Sequence, residues 1–346
     1  MMPNSADIVP SDVRIGVIGG GSWGTVLADL LAAKGFAIDL WVYEREVMEQ
    51  INSHRENRVF LPGIALSANL TASNDLAAVA SGKGLLVMVV PSHVLRATST
   101  ALAGRLDAET LVVSASKGIE NQTHLTMTGV LKESLQIADE RLAVLSGPSF
   151  ALEVARKFPT VVTVASCNPS LAQLVQHAFA TPYFRVYTSE DTIGVELGGS
   201  VKNIIAIAAG IVDGLGLGLN TRAALITRGM TEIRRLGKRM GANPRTFTGL
   251  AGYGDLILTC TGDLSRNHTL GRKIAAGQRL KDILADMRMV AEGVNTARSV
   301  YHLSRHLEVE MPICHQTYRI LYENLPPREA LYQLMTRDLK QELDDD

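Results

Sequence analysis

The sequence predicts an α/β fold in which a doubly wound sheet is followed by an all-helical C-terminal domain. Short apolar segments with strand character alternate with helical segments as far as Thr188, an order typical of a mostly parallel sheet. From Asp191 onward the periodic segments are almost all helical. We therefore predict one domain over residues 13–190, a second over 191–340, and flexible tails at 1–12 and 341–346.

Individual strands and helices can be assigned from the same patterns. Strands are expected at 14–18, 37–42, 85–90, 110–113, 142–145, 160–164 and 184–187, and C-terminal helices at 196–211, 221–240, 272–276, 280–287, 294–306 and from 328 onward. Ligands of doubly wound sheets bind beyond the carboxyl ends of the strands. Pro91, Lys117 and the segment 146–150 follow predicted strands, so they are candidate site residues. The alternative for Lys117 is a loop lysine without a role.

A glycine-rich loop follows the first strand. Residues 19–24 are Gly-Gly-Gly-Ser-Trp-Gly, and a helical segment then ends at Gly35. In this context G-x-G-x-x-G is typical of dinucleotide binding, whereas alone it could be a plain turn. Gly19 would form the tight turn, Gly21 would admit the pyrophosphate, and Gly24 would allow close helix–strand packing. The helix N-terminus would offer N–H donors to the phosphates, so we predict a Rossmann-like domain that binds NAD or NADP.

The end of the second strand bears on which dinucleotide is bound. Tyr43, Glu44 and Arg45 follow it, and Glu44 lies about 20 residues beyond the glycine loop, where an acid would bind the ribose of NAD. Arg45 could instead meet the 2′-phosphate of NADP. The choice between NAD and NADP stays open, and both charges could simply be solvated at the strand end.

One apolar helical stretch carries an unexpected charge. Lys202 and Asn203 lie in the middle of residues 196–210, which are otherwise mostly small or apolar. Burial disfavours the charged form of a lysine, and a lysine placed this way is a candidate for proton transfer. The pattern alone favours the alternative, a buried stem with its ammonium in solvent.

Two loops of the helical half contain further candidates. Asp255 is the one carboxylate in a neutral, glycine-rich loop at 249–256. Ser265, Arg266 and Asn267 place a guanidinium between hydrogen-bonding side chains, which suits a phosphate. An ordinary helix start with Ser265 as its cap explains the second loop equally well.

Composition argues against several other functions. The formal net charge is −1 and the isoelectric point about 6.7, so no electrostatic case exists for nucleic acid. The three cysteines lack metal-site spacing, so we predict no metal and a reducing, cytoplasmic location. We expect no apolar run to approach the ~20 residues needed to cross a bilayer.

Ten motifs together resemble those of the bacterial NAD(P)-dependent glycerol-3-phosphate dehydrogenases. The resemblance extends over about 13–330, with the motifs in the family's order. They lie at 19–25, 90–93, 116–118, 146–151, 194–203, 222–229, 252–256, 258–261, 265–267 and 290–293.

This resemblance implies interconversion of sn-glycerol 3-phosphate and dihydroxyacetone phosphate with NADH or NADPH, which supplies glycerophospholipid synthesis, and it implies a homodimer. Lys202 would be the general acid/base, with Lys117 and Asp255 completing the catalytic group. The implied substrate-binding residues are Lys117, Gly147, Ser149, Lys202, Asn203, Asp255, Ser265, Arg266 and Asn267. The implied cofactor neighbours are Gly19, Gly21, Ser22, Trp23, Gly24, Tyr43, Glu44, Arg45, Pro91, Lys117, Ala151, Arg266, Val290 and Glu292.

The chemistry of the residues agrees with this resemblance. Hydride addition to a ketone leaves negative charge on oxygen, which an ammonium can stabilise and protonate. Lys117 and Lys202 fall in different predicted domains, and with Asp255 they would suit a cleft between the domains.

The sequence departs from the family at two places. His268 stands where many relatives have arginine, and Tyr43-Glu44 replaces a frequent basic residue and aspartate. Two rival functions remain: a β-hydroxyacid dehydrogenase of related fold, and a non-catalytic dinucleotide sensor. The 265–267 loop argues for a phosphorylated substrate, and the joint presence of both lysines, Asp255 and Arg266 argues against a sensor.

Overall fold

A computed structural model of the chain describes residues 13–287 and 290–342. The tail predicted at 1–12 lies outside the described residues, and so does the tail predicted at 341–346 except for its first two residues. The chain divides into two compact units. The first contains the chain up to Ser116 together with Met127–Thr192, and the second contains Lys117–Thr126 together with the chain from Ile193 onward. The segment Lys117–Thr126 therefore packs with the later helices, although it falls within the range 13–190.

The first unit is built on an eight-stranded sheet. Its strands are β1 (Ile15–Ile18), β2 (Ile38–Trp41), β3 (Leu70–Ser73), β4 (Leu85–Met88), β5 (Leu111–Ser114), β6 (Leu142–Ser146), β7 (Thr160–Ala165) and β8 (Phe184–Ser189). Their order is β3-β2-β1-β4-β5-β6-β7-β8, and neighbours are parallel except for the antiparallel pair β6 and β7. This order confirms the predicted doubly wound sheet, with the last two strands as an extension.

The centre of the sheet forms the first hydrophobic core. All four residues of β1 are buried, and Ile15 is in register with Ile38 of β2 and Leu85 of β4. A strand buried on both faces needs such a continuous apolar run. The helices of this unit are α1 (Ser22–Ala33), α2 (Arg45–His54), α3 (Leu76–Ala80), α4 (Ser92–Thr100), α5 (Met127–Leu135), α6 (Ala151–Ala155) and α7 (Pro169–Phe179).

The prediction missed β3. Its four residues are Leu-Thr-Ala-Ser, of which only Leu70 and Ala72 are buried, and it pairs only with β2. A short edge strand with one large apolar residue gives little signal in the sequence.

Apart from the segment Lys117–Thr126, the regular elements in the described residues of the second unit are helices. Its helices are α8 (Thr192–Gly214), α9 (Gly218–Arg239), α10 (Asp255–Thr261), α11 (Arg266–Ala275), α12 (Leu280–Asp286), α13 (Glu292–His306), α14 (Pro312–Tyr322) and α15 (Pro327–Met335). A 3₁₀ turn at Pro244–Thr248 and a π turn at Leu250–Gly254 precede α10. The all-helical prediction is confirmed, although α10 and α14 were not assigned and α8 and α11 begin earlier than predicted.

Helix α8 is the centre of this unit. It has 23 residues, and its most apolar window has a mean hydropathy of 1.5. Among the described residues it is the one helix with the length and composition to cross a membrane. The expectation that no apolar stretch would approach the length of a membrane span is therefore wrong. Its apolar window is 100% buried inside the protein, as in the core helix of a helical domain, so it is weak evidence for a membrane span.

Candidate active site

Two lysines converge on one aspartate in the helical unit. Lys202 lies on α8, and Asp255 is the first residue of α10. The Lys202 ammonium donates to Asp255 Oδ1 and also to Thr259 Oγ1 at 2.7 Å. Lys117 Nζ donates to the other carboxylate oxygen, Oδ2, at 2.7 Å. A single carboxylate therefore holds two ammonium groups beside each other.

The cluster is secluded from solvent. Lys202 is 5% exposed and Asp255 1%, while the Lys117 side chain is 21% exposed. The Lys202 ammonium therefore does not reach solvent. The alternative interpretation, in which only the stem is buried and the ammonium lies in solvent, is wrong. Lys117 is the more accessible of the two cations.

Burial decides the acidity of Lys202. Desolvation lowers the pKa of this lysine from 10.5 to about 7, Asp255 partly opposes the shift, and Lys117 adds to it. The sequence left the direction open because burial and Lys117 act against Asp255. A pKa near 7 lets the group both donate and accept a proton near neutral pH, which general acid/base catalysis requires.

Small residues on α8 allow Asp255 to come this close. A Cβ on Gly198 would lie 2.3 Å from the carbonyl oxygen of Ala251, in the π turn just before Asp255. The glycine therefore permits backbone contact between helix and turn, one helical turn before Lys202. The sequence could not show this contact, because the two segments are far apart in the chain.

Lys117 is held against the same helix through its neighbour. The Gly118 N–H donates to Ser200 Oγ at 2.9 Å, and the Ser200 hydroxyl donates to the Gly118 carbonyl at 3.2 Å. Ser299 of α13 adds hydrogen bonds to the Ile119 carbonyl at 2.7 Å and to Asn121 Oδ1 at 2.8 Å. These contacts explain why Lys117 belongs to the helical unit.

Sequence reasoning missed Thr259 and Ser200 as parts of this arrangement. Thr259 Oγ1 accepts from Lys202 and donates to the Asp255 carbonyl at 2.6 Å. Thr259 lies four residues after Asp255, and that helical spacing could have indicated it. Nothing in the sequence indicated that Ser200 contacts residue 118.

The 265–267 loop begins α11. Ser265 caps the helix by accepting from the His268 N–H at 3.2 Å, as the ordinary alternative predicted. Asn267 Nδ2 donates to Asn203 Oδ1 at 3.0 Å, and Asn267 Oδ1 accepts from the Gly293 N–H at 3.0 Å. These bonds join the predicted substrate residues of α8 and α11.

Arg266 is the exposed cation of this loop. Burial of its guanidinium lowers the pKa of Arg266, and the negative charge of Glu292, the first residue of α13, partly opposes that shift. Val290 lies just before α13 and is half-buried. Three predicted cofactor neighbours, Arg266, Val290 and Glu292, thus belong to the same unit as the lysine pair.

His268 does not take the place of a phosphate-binding arginine. Its ring is buried, and Nε2 lies 2.8 Å from Asp213 Oδ2 near the end of α8. Arg222 Nη1 donates to the same carboxylate oxygen at 2.9 Å. His268 therefore ties α11 to α8, and Arg222 ties α9 to the same carboxylate, which gives this departure from the family a structural role.

The glycine loop of the first unit fits a pyrophosphate. Gly19 has a φ of +126°, and a Cβ on Gly24 would lie 1.9 Å from the Gly19 carbonyl oxygen, so both positions require glycine. Gly21 precedes α1, and a Cβ there would have no neighbour within 4 Å. Open space beside the helix N-terminus is what a bound phosphate needs.

The residues after Gly21 add a possible donor. The Trp23 indole N–H is buried and has no hydrogen-bond partner among the residues that the structure describes, and such a group is commonly satisfied by a ligand or water. The Ser22 hydroxyl donates to the Phe60 carbonyl at 2.6 Å, which holds a second loop against the start of α1.

The remaining predicted residues of the first unit lie at strand ends. Tyr43 is 80% exposed, and Glu44 and Arg45 are also exposed, with Arg45 Nε 2.8 Å from Glu49 Oε1. The exposure and contacts of these three residues favour neither NAD nor NADP. Pro91 precedes α4, and Ala151 begins α6.

Gly147 and Ser149 follow β6. Gly147 has a φ of +150°, and a Cβ there would lie 2.9 Å from Val162 Cα. The Ser149 hydroxyl donates to the Gly147 carbonyl at 3.0 Å. Within residues 13–287 and 290–342, no group of three or more histidine, cysteine, aspartate or glutamate side chains is placed to hold a metal ion.

Comparison with known proteins identifies the family. Residues 14–172 match the N-terminal domain of NAD-dependent glycerol-3-phosphate dehydrogenase, and residues 191–332 match its C-terminal domain. The NAD(P)+ glycerol-3-phosphate dehydrogenase of Syntrophobacter fumaroxidans is 56% identical over 331 residues, covering 95% of this chain and 97% of the relative. The enzyme of the same name from Geobacter sulfurreducens is 56% identical over 330 residues, which cover 95% of this chain and 98% of the relative. The crystal structure of glycerol-3-phosphate dehydrogenase from Coxiella burnetii superposes with a TM-score of 0.91 at 40% identity, covering 95% of this chain and all 100% of the other. The chain therefore belongs to the NAD-dependent glycerol-3-phosphate dehydrogenase family.

Proposed function

We propose that the protein interconverts dihydroxyacetone phosphate and sn-glycerol 3-phosphate by hydride transfer with NADH or NADPH. One observation carries the proposal: a buried lysine with a pKa of about 7 shares an aspartate with a second, more accessible lysine. Membership of the family supplies the substrate and the cofactor class.

The lysine pair fits ketone reduction. When bound, the nicotinamide supplies the hydride to the carbonyl carbon of the substrate. The Lys202 ammonium gives a proton to the carbonyl oxygen, and the neutral amine takes it back in the reverse reaction. Lys117 adds positive charge where the oxygen becomes negative. Asp255 holds both ammonium groups through its two carboxylate oxygens.

The substrate phosphate requires a separate site. We propose Arg266 and Asn267 for it, with Gly147, Ser149, Asn203 and Ser265 as further substrate neighbours. Arg266 is an exposed residue beside Asn267, and Asn267 is fixed to Asn203 on the helix that carries Lys202. A guanidinium suits phosphate because it donates two parallel hydrogen bonds.

The cofactor would lie on the glycine loop. Gly19, Gly21 and Gly24 shape the loop, Trp23 offers a buried donor, and the N-terminus of α1 offers amide groups. Residues 13–190 would then form the dinucleotide-binding domain and 191–340 the substrate domain, in line with the two family matches. The other proposed cofactor neighbours are Ser22, Tyr43, Glu44, Arg45, Pro91, Lys117, Ala151, Arg266, Val290 and Glu292.

An assay of four combinations tests this function. NADH and NADPH oxidation should each be followed with dihydroxyacetone phosphate and with dihydroxyacetone. We expect rapid oxidation only with the phosphorylated ketone, and the faster cofactor gives the preference that the sequence leaves open. Equal rates with dihydroxyacetone would count against a phosphorylated substrate and favour the β-hydroxyacid dehydrogenase, and no turnover with either ketone would favour a sensor.

The cellular setting is part of the proposal. Family membership supports a homodimer in the cytoplasm that supplies glycerol 3-phosphate to phospholipid synthesis. Sedimentation of the purified protein at micromolar concentration should give a dimer, and a monomer alone would contradict that assignment.

A further inference from the structure

A cavity in the helical unit has no part in the proposed reaction. It has a volume of about 260 Å³ and lies among α8, α9, α14, α15 and the segment that follows α15. Apolar side chains line most of it, including Ile211, Leu225, Ile320 and Leu334. Lys202, Asp255 and Lys117 are not among its lining residues.

The lining also carries an excess of positive charge. Arg228, Arg235, Arg337 and Lys340 contribute four cations, and Glu232 and Glu310 contribute two carboxylates. The lining thus has a formal charge of +2, from four positive and two negative groups. An apolar pocket with a cationic margin is complementary to a molecule with an apolar body and an anionic end.

The two carboxylates are already engaged by the protein. Glu232 accepts hydrogen bonds from the backbone N–H groups of Ile313 at 2.6 Å and Cys314 at 3.0 Å, at the start of α14. Glu310 accepts from Lys340 at 3.0 Å and from Arg337. Neither carboxylate receives a hydrogen bond from Arg228 in these contacts.

Arg228 donates to a neutral acceptor, unlike Arg337 and Lys340, which donate to the Glu310 carboxylate. Its Nη1 donates to the backbone carbonyl of Glu342 at 3.0 Å, a neutral acceptor. A bound carboxylate or phosphate would offer it a charge-assisted hydrogen bond in place of a neutral one.

We propose that this cavity binds a single-chain amphipathic anion, with its alkyl chain among the apolar side chains and its charged head beside Arg228. An apolar cavity of about 150 Å³ can hold benzene, so the present volume suits a chain of roughly ten carbons. Decanoate is the simplest probe of that chemistry. The proposal concerns a site separate from the lysine pair and does not depend on the proposed function.

Calorimetric titration of the full-length protein tests the site. Decanoate should bind one molecule per chain with a negative heat-capacity change, because apolar surface is buried. Decyltrimethylammonium has the same chain and the opposite charge, and it should bind at least about tenfold more weakly. Equal affinity for the two probes would overturn the proposal, since it would show binding by the chain alone.

Matched variants locate the binding. Ala224 lines the cavity and is exposed, whereas Ala223 beside it is exposed without lining the cavity. Ala224→Trp should abolish decanoate binding by filling the entrance, and Ala223→Trp should leave it unchanged. Arg228→Gln should weaken binding about tenfold, as for the loss of a charge-assisted hydrogen bond, and Lys238→Gln on the same helix should not. Equal effects within either pair would overturn the site.

Other occupants would be recognised in the same experiments. Loss of the dimer in Ala224→Trp but not in Ala223→Trp would show that a second copy of the chain occupies the cavity. Binding of decanoate only after removal of residues 343–346 would assign it to the protein's own C-terminus. Binding to phosphatidylglycerol vesicles but not to free decanoate would assign it to a membrane surface. Each of these three results would overturn the proposal.

Discussion

Replacement of Asp255 by asparagine should move the pH dependence of the reaction in a defined direction. In the unchanged protein burial lowers the pKa of Lys202 to about 7, Asp255 opposes that shift, and Lys117 adds to it. The asparagine side chain keeps the shape and removes the charge. The pKa of Lys202 should therefore fall further.

The size of the effect follows from the contact. An opposite charge at hydrogen-bond distance shifts a pKa by about 1–3 pH units. A fall of about 2 units from a pKa near 7 lowers the protonated fraction at pH 7 from one half to about 1%, a roughly fiftyfold loss of the proton-donating form. Reduction needs the protonated lysine, so its rate declines as pH rises through the pKa.

The assay is the pH profile of kcat/KM for dihydroxyacetone phosphate reduction. The unchanged protein should lose activity as pH rises through about 7, and Asp255→Asn should lose it at a lower pH. Partial recovery of the variant at acidic pH separates a pKa effect from misplacement of the lysine, which no pH change repairs. A midpoint that stays in place or moves upward would refute the assigned role of Asp255.

Three further variants test other parts of the site. Gly21→Val fills the open space beside the α1 N-terminus and should weaken NAD(P)H binding in calorimetry, so a folded variant with unchanged affinity would count against the glycine loop as the cofactor site. Arg266→Lys keeps the charge but loses the guanidinium fork, so it should raise the KM for dihydroxyacetone phosphate and narrow the preference over dihydroxyacetone. Retention of the full preference would place the phosphate elsewhere. Ser200→Ala removes both hydrogen bonds to Gly118 and should lower kcat, whereas Ser200→Thr keeps a hydroxyl and should retain more activity. Equal kcat in the two variants would show that the hydroxyl does not position Lys117.

Much of the fold could be predicted because it depends on local patterns. Buried parallel strands are continuous apolar runs, so β1 and β4 were identified directly. The glycine loop was recognised from its place between a strand and a helix. Strand β3 lacked such a pattern because only alternate residues at the sheet edge are buried.

The candidate site could be predicted in its members but not in its geometry. Lys202 was noticeable as a charge inside an apolar helix, and Asp255 as the one carboxylate in a neutral loop. Their contact spans 53 residues and depends on the close approach at Gly198, which no local pattern records. The direction of the Lys202 pKa shift followed only when burial and both neighbouring charges were placed.

The most direct test of the account is the turnover of Lys202→Met. Methionine retains much of the apolar stem and removes the ammonium, while Asp255 and Lys117 keep their own contact. Turnover with dihydroxyacetone phosphate should fall by roughly 10²–10⁴-fold, as for a lost general acid, with NAD(P)H affinity nearly intact. A folded Lys202→Met protein with near-normal turnover would contradict the account, and Lys117 would then be the leading candidate for the proton donor.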